Sequence, residues 1–161
     1  MSSENKKLDS LLSAIVPLME KVGGHKIHID YNGSSDCGAT EFQHLEDKKG
    51  KVIDYKKYEE LTTTFMKTAS HWTKEGWVEK TKETEQSLIA LAEEIAYEML
   101  LNNAGGWEIN AGSYGSVVIQ TSPVRVTLDH TPCDDVEDEN GDYETVDLED
   151  EVYFYSPKES V

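Results

Sequence analysis

The stretch Val117-Val118-Ile119-Gln120-Thr121-Ser122-Pro123-Val124-Arg125-Val126-Thr127-Leu128-Asp129 decides the fold class. Its two β-branched runs, 117–121 and 124–129, suit a pleated, half-buried surface. Only Ser122-Pro123 separates them, and so short a connection joins strands antiparallel. Upstream, residues 83–101 have a different period. Leu88, Leu91, Ala92, Ile95 and Met99, with neighbouring Tyr97 and Leu100, recur at three- and four-residue spacing, while Glu93, Glu94 and Glu98 fall elsewhere. This predicts an amphipathic helix, stopped by Asn102-Asn103 and Gly105-Gly106.

Leu8, Leu11, Leu12, Ile15, Val16 and Met19 give a second helical stripe near the N-terminus. Asp9 or Ser10 would cap it, Pro17 would kink or end it, and Gly23-Gly24 would terminate it. Tyr55, Tyr58, Leu61, Phe65 and Ala69 mark a third helical face, weakened by Thr62-Thr63-Thr64. Residues 71–82 show no clear period; Trp72 and Trp77 can anchor them to the body. In residues 25–31, Ile27 and Ile29 alternate with Lys26, His28 and Asp30, the period of a strand. A turn-rich loop, 32–38, leads to a second strand at 40–45, and residues 152–155 form a last one. The expected fold is α+β, an antiparallel sheet of four to five strands with two to three helices packed on one face.

The 161 residues fit one domain. We divide them into a globular α+β body, 1–131, and an acidic segment with a terminal strand, 132–161. The apolar fraction of 37% is below the usual 45–50%, a range that also counts Gly. Cys37 and Cys133 lack metal-binding spacing and read as two reduced thiols. The apolar run 11–19 is bracketed by Asp9 and Glu20, broken by Pro17, and followed by no cleavage signature. The expected location is cytoplasmic, with no membrane contact.

Most of the net charge of −17 is local. Eleven carboxylates fall within residues 134–151: Asp134, Asp135, Glu137, Asp138, Glu139, Asp142, Glu144, Asp147, Glu149, Asp150 and Glu151, with no Lys, Arg or His among them. Such a field repels nucleic acid and attracts cations or basic proteins. The tract is no EF-hand: with Gly141 at the sixth loop position, Val136 takes the first and Asp147 the twelfth, where Asp and a bidentate Glu are required. The one basic cluster, Lys48-Lys49-Lys51-Lys56-Lys57, is diluted by acids, so direct nucleic-acid binding is not expected. A solvated charge run is the plainer reading of the tract; Val136, Val146, Leu148 and Val152 argue for partial order. A fixed carboxylate array would instead imitate the phosphate spacing of nucleic acid. Tyr143, Tyr153, Phe154 and Tyr155 would then supply anchors and aromatic contacts.

Three further segments carry chemistry-bearing residues. Gly33-Ser34-Ser35-Asp36-Cys37-Gly38 is a glycine–serine–aspartate loop. Residues 106–115 spell GWEINAGSYG, and Thr127-Leu128-Asp129-His130 ends a strand. Together they resemble a family of uncharacterised domains found in bacterial, plasmid and phage genomes, over roughly residues 25–45 and 84–131. The family pattern has Gly at Ser35 and Ser at Cys37. The resemblance implies a compact α+β domain in a mobile-element setting, and no activity. A cluster of Asp36, Glu108, Asp129 and His130 would suit a metal-assisted hydrolase. The structural alternative is that Asp36 and Asn110 bond their own turns, with Glu108 exposed and Trp107 in the core. No nucleophile elbow, P-loop or zinc-protease motif is present. His25, His28, His44 and His71 read as surface or packed residues, with no metal site and no cofactor expected.

These readings lead to a non-enzymatic acidic protein of phage or mobile-element origin. It would bind and block a basic, nucleic-acid-handling host or defence protein through the eleven carboxylates. A hydrolase and a structural subunit of a complex are the alternatives.

Overall fold

The structure is a computed structural model that describes residues 5–34, 37–105 and 112–157, without the side chains of Ser34, Cys37 and residues 66–69. The chain runs through α1 (Lys6–Lys21), β1 (Lys26–Ser34), β2 (Cys37–Glu46), β3 (Thr62–Thr73) and β4 (Gly76–Ser87). It continues through α2 (Leu88–Asn103), β5 (Ser113–Thr121), β6 (Val124–Glu137), β7 (Tyr143–Asp147) and β8 (Glu151–Tyr155). The main sheet has the order β2-β1-β5-β6-β7, with β8 also on β6, and β3 and β4 form a separate pair. The α+β class holds, and the two helices of the described residues fall within the expected two to three, but the six strands of the main sheet exceed the expected four to five.

The strand alternation in residues 25–31 becomes the core face of β1. Ile27, Ile29 and Tyr31 are buried, and so are their counterparts Val117 and Ile119 in β5 and Val126 and Leu128 in β6. Against this face lie α1, with Leu8, Leu11, Leu12, Ile15, Leu18 and Met19 buried, and α2, with Leu88, Leu91, Ala92, Ile95, Ala96, Met99 and Leu100 buried. Each such Leu or Ile contributes about 1.5–3 kcal/mol by leaving water. No helix of the described residues is long and apolar enough to cross a membrane.

Several local expectations change. Asn5, not Asp9 or Ser10, caps α1, its side chain accepting from the Leu8 N–H at 3.0 Å. The helix continues past Pro17 to Lys21, because Leu18 and Met19 beyond it are buried. It ends, as expected, at Gly23 (φ 75°), where the Gly24 N–H donates to the Met19 carbonyl at 2.8 Å. The helical face read from Tyr55 to Ala69 is instead a short 3-10 turn followed by β3. Its threonines are β-branched, and β3 is paired in register with β4, Thr62 opposite Ser87 and Thr73 opposite Gly76. That pairing also claims Glu83–Ser87, so α2 starts at Leu88, with the Ser87 hydroxyl accepting from the Ala90 N–H.

The Ser122-Pro123 turn joins β5 and β6 as expected, through a cis peptide bond. Near the other end of this pair, Gly115 lies opposite His130. A Cβ at Gly115 would collide with the Asp129 carbonyl oxygen and stand 2.7 Å from the Tyr31 hydroxyl. Backbone cannot yield as a flexible side chain does. Gly115→Ala therefore destabilises the fold by about 2–3 kcal/mol or more, read as a lowered urea midpoint. A variant as stable as the parent would show that β5 and β6 are not held this closely.

Candidate functional site

The described parts of the three motif segments, residues 33–34 and 37–38, 112–115 and 127–130, lie at one end of the sheet. Tyr31 of β1, Gly115 of β5 and His130 of β6 stand side by side there. His130 is buried, and its Nδ1 lies 2.5 Å from the Tyr31 hydroxyl. Burial raises the Tyr31 pKa well above the usual tyrosine range, helped by the negative charges of Asp129, Asp150 and Glu151. Burial also lowers the His130 pKa, opposed by Glu151. Burial thus favours the neutral form of both groups, which share one hydrogen bond, and the Tyr31 hydroxyl also lies within donating distance of the Asp129 carbonyl at 3.5 Å.

Of the four residues named for a hydrolase, Asp36 and Glu108 lie outside the described residues. Asp129 is exposed and His130 buried. As successive residues of β6 they point to opposite faces of the sheet. His130 engages Tyr31 within the fold.

The acidic tract is built as strand and turn. Asp134, Asp135 and Glu137 occupy the end of β6, paired in register with β7: Asp134 opposite Val146, Asp135 opposite Thr145, and Glu137 opposite Tyr143. Asp138 closes the turn, its Oδ1 accepting from the Asn140 and Asp142 N–H groups at 2.8 and 2.9 Å, with Gly141 at φ 82°. After β7 the edge breaks over residues 148–150 and resumes as β8, which pairs with the earlier half of β6.

Hydroxyl groups fasten this edge. Tyr114 donates to Asp147 Oδ2 at 2.6 Å, Thr131 donates to Asp150, and Tyr153 donates to Glu151. The Leu148 N–H bridges the break to the Pro132 carbonyl at 2.8 Å. Tyr155 donates to Asp9 of α1, which ties the end of β8 to the helical layer. The Asp147 bond raises the Tyr114 pKa, so the phenol stays a donor. Cys133, the described free thiol, lies opposite Asp147; burial, then that carboxylate, raises its pKa.

The eleven carboxylates therefore sort by task. Asp135, Asp138, Asp147, Asp150 and Glu151 accept hydrogen bonds that shape the edge, and Asp134 accepts from the next backbone N–H. Glu137, Glu139, Asp142, Glu144 and Glu149 are exposed and accept none from a described side chain. None of the eleven forms an ion pair among the described residues.

A second cluster escaped the sequence reading. His28 of β1 and His44 of β2 are cross-strand partners with ring centroids 4.5 Å apart, and Glu46 follows two residues after His44. His28 Nε2 stands 3.2 Å from Glu46 Oε1, and His44 Nε2 stands 3.5 Å from Glu46 Oε2. Burial opposes ionisation of Glu46, but the two imidazoles outweigh it and lower its pKa. The pairing register shifts between His28 and Ile29, so that Gln43 has no partner in β1. This bulge lets both Phe42 and Leu45 face the core, while His44 and Glu46 share the open face. The only sequence signal is His44-x-Glu46; His28 joins through a register no local pattern reveals. His44 is thus not isolated.

No curated protein and no solved structure is detectably similar to the chain. The model of a family of unknown function (DUF6878) matches residues 3–144, from the start of the helical layer into the acidic ribbon, and the chain belongs to that family.

Proposed function

We propose that this is a non-enzymatic interaction protein. It binds and occludes a basic, nucleic-acid-handling host or defence protein through the acidic edge formed by β6, β7 and β8. The observation that carries the reading is a hydrogen-bonded ribbon dense in carboxylates that forms no ion pair among the described residues. A partner meets these charges already positioned, which reduces the ordering cost of binding.

Charge spacing sharpens the idea. β7, the break and the start of β8 follow β6 from Glu137 to His130, about 23 Å of extended chain, so the eleven carboxylates amount to roughly one charge per 2 Å, between the 1.7 Å of duplex DNA and the 3.4 Å of one strand. The charge density of the ribbon thus falls in the range of nucleic acid. Tyr143 and Phe154, 72% and 62% exposed, sit on the same edge and supply the aromatic contacts that charge alone lacks. The hydrolase alternative has less behind it, since Asp129 and His130 point apart.

The test uses Glu137→Gln, Glu139→Gln, Asp142→Asn, Glu144→Gln and Glu149→Gln combined, positions without a fold-shaping bond. The parent should capture basic nucleic-acid-binding proteins from lysate at low salt, and a single-stranded oligonucleotide should compete. The five-fold variant should bind the captured partner about tenfold more weakly or worse. Capture that survives neutralisation unchanged would overturn the reading.

The same crowding of like charge acts on the free protein. Mutual repulsion destabilises the compact state and salt screens it. Raising NaCl from low to high concentration should lift Tm by roughly 2–4 °C, and the five-fold variant should respond less. Equal salt responses would show that the ribbon charges do not strain the fold.

A further inference from the structure

We infer that His28, His44 and Glu46 bind a divalent first-row transition-metal ion of the zinc class. The site lies on the open face of the sheet, on the two strands farthest from β7. Two imidazoles and one carboxylate are a donor set for Zn²⁺, Co²⁺, Ni²⁺ or Fe²⁺, and too rich in nitrogen for Ca²⁺ or Mg²⁺. One ligand atom from each residue lies within 4.8 Å of the others. A tetrahedral ion with bonds of about 2.0–2.2 Å sets its donor atoms roughly 3.3–3.5 Å apart. The two histidine–carboxylate separations, 3.2 and 3.5 Å, already fall at that spacing. Those contacts run to the two oxygens of one carboxylate, and small rotations of that group and of the stacked rings, inclined by 26°, would bring three donor atoms around one ion.

A second observation points the same way. His28 Nε2 is enclosed, and despite its 3.2 Å approach to Glu46 it has no aligned hydrogen bond. An enclosed nitrogen left without such a bond is costly in a merely structural cluster, whereas a metal ion would occupy its lone pair. The three side chains are 31%, 34% and 19% exposed, so an ion can reach them. Three protein ligands would leave one coordination position for water or a further ligand. The bulge at Gln43 is the local feature that aims His44 and Glu46 to one side.

The experiment titrates Co²⁺, then displaces it with Zn²⁺, on the full chain near neutral pH. We expect one saturable equivalent with the visible bands of a four- or five-coordinate nitrogen-bearing site. Affinity should fall about tenfold or more in His44→Ala and in Glu46→Gln. It should be unchanged in His71→Ala and in the five-fold ribbon variant. Loss only in the ribbon variant, or parent-like binding by both site variants, would overturn the site. Nitrogen NMR on the unaltered chain decides even if a substitution unfolds the protein. Zn²⁺ should move the Nε2 resonances of His28 and His44 and leave those of His25 and His71; movement of none, or of all four alike, would refute the assignment.

Discussion

β6 is one unbroken strand of fourteen residues that begins in the core and ends in solvent. Its first half gives Val126, Leu128 and His130 to the buried face and is paired on both sides, by β5 and β8. Its last five residues, 133–137, pair with β7 alone and carry carboxylates. A two-stranded acidic ribbon in water would be marginal, because a hairpin has little apolar surface to bury and like charges repel across it. Continuity with a core strand supplies the register that the ribbon could not specify for itself. The close approach at Gly115 matters for the same reason, since it fixes the lateral position of β6 just before the chain leaves the helices.

The acidic edge also solves a problem of its own making. An exposed outer strand offers unpaired backbone groups to any passing chain. Here the edge is interrupted at residues 148–150 and lined with negative charge, so a second copy of this protein meets both a break and a repulsive field. A cationic partner meets only the break. On the proposed function, the arrangement would discriminate by sign, disfavouring a like-charged copy relative to a basic surface.

Much of the fold was legible because burial leaves periodic traces. The stripes of α1 and α2, the alternation of β1 and the β-branched runs of β5 and β6 are legible at their positions, and Ser122-Pro123 marks the β5–β6 turn. The failures have physical causes. Tyr55, Tyr58, Leu61, Phe65 and Ala69 imitate a helical stripe, yet Tyr58 is buried beneath Phe42 in a connecting segment and Phe65 belongs to a strand. The β3–β4 hairpin turns on Lys74-Glu75, without the Asn-Gly or Asp-Gly signal, and its positive φ falls one residue later, at Gly76. The charge of residues 134–151 was plain, but their order was not. Their apolar members are too few to announce a strand, and the groups that hold the edge, Tyr114, Thr131 and Pro132, lie outside the tract.

The His28–His44–Glu46 cluster illustrates a limit that no closer reading of periods removes. Two strands separated by a loop can pair in any register, and a one-residue slip sends every side chain to the opposite face. Here the bulge at Gln43 changes the phase within a single strand. Counting by twos from Phe42 would put His44 and Glu46 on the core face with it, against the helices. The actual phase is set by the demand that Phe42 and Leu45 both reach the core. Apolar burial on one side of β2 thereby determines which polar atoms converge on the other.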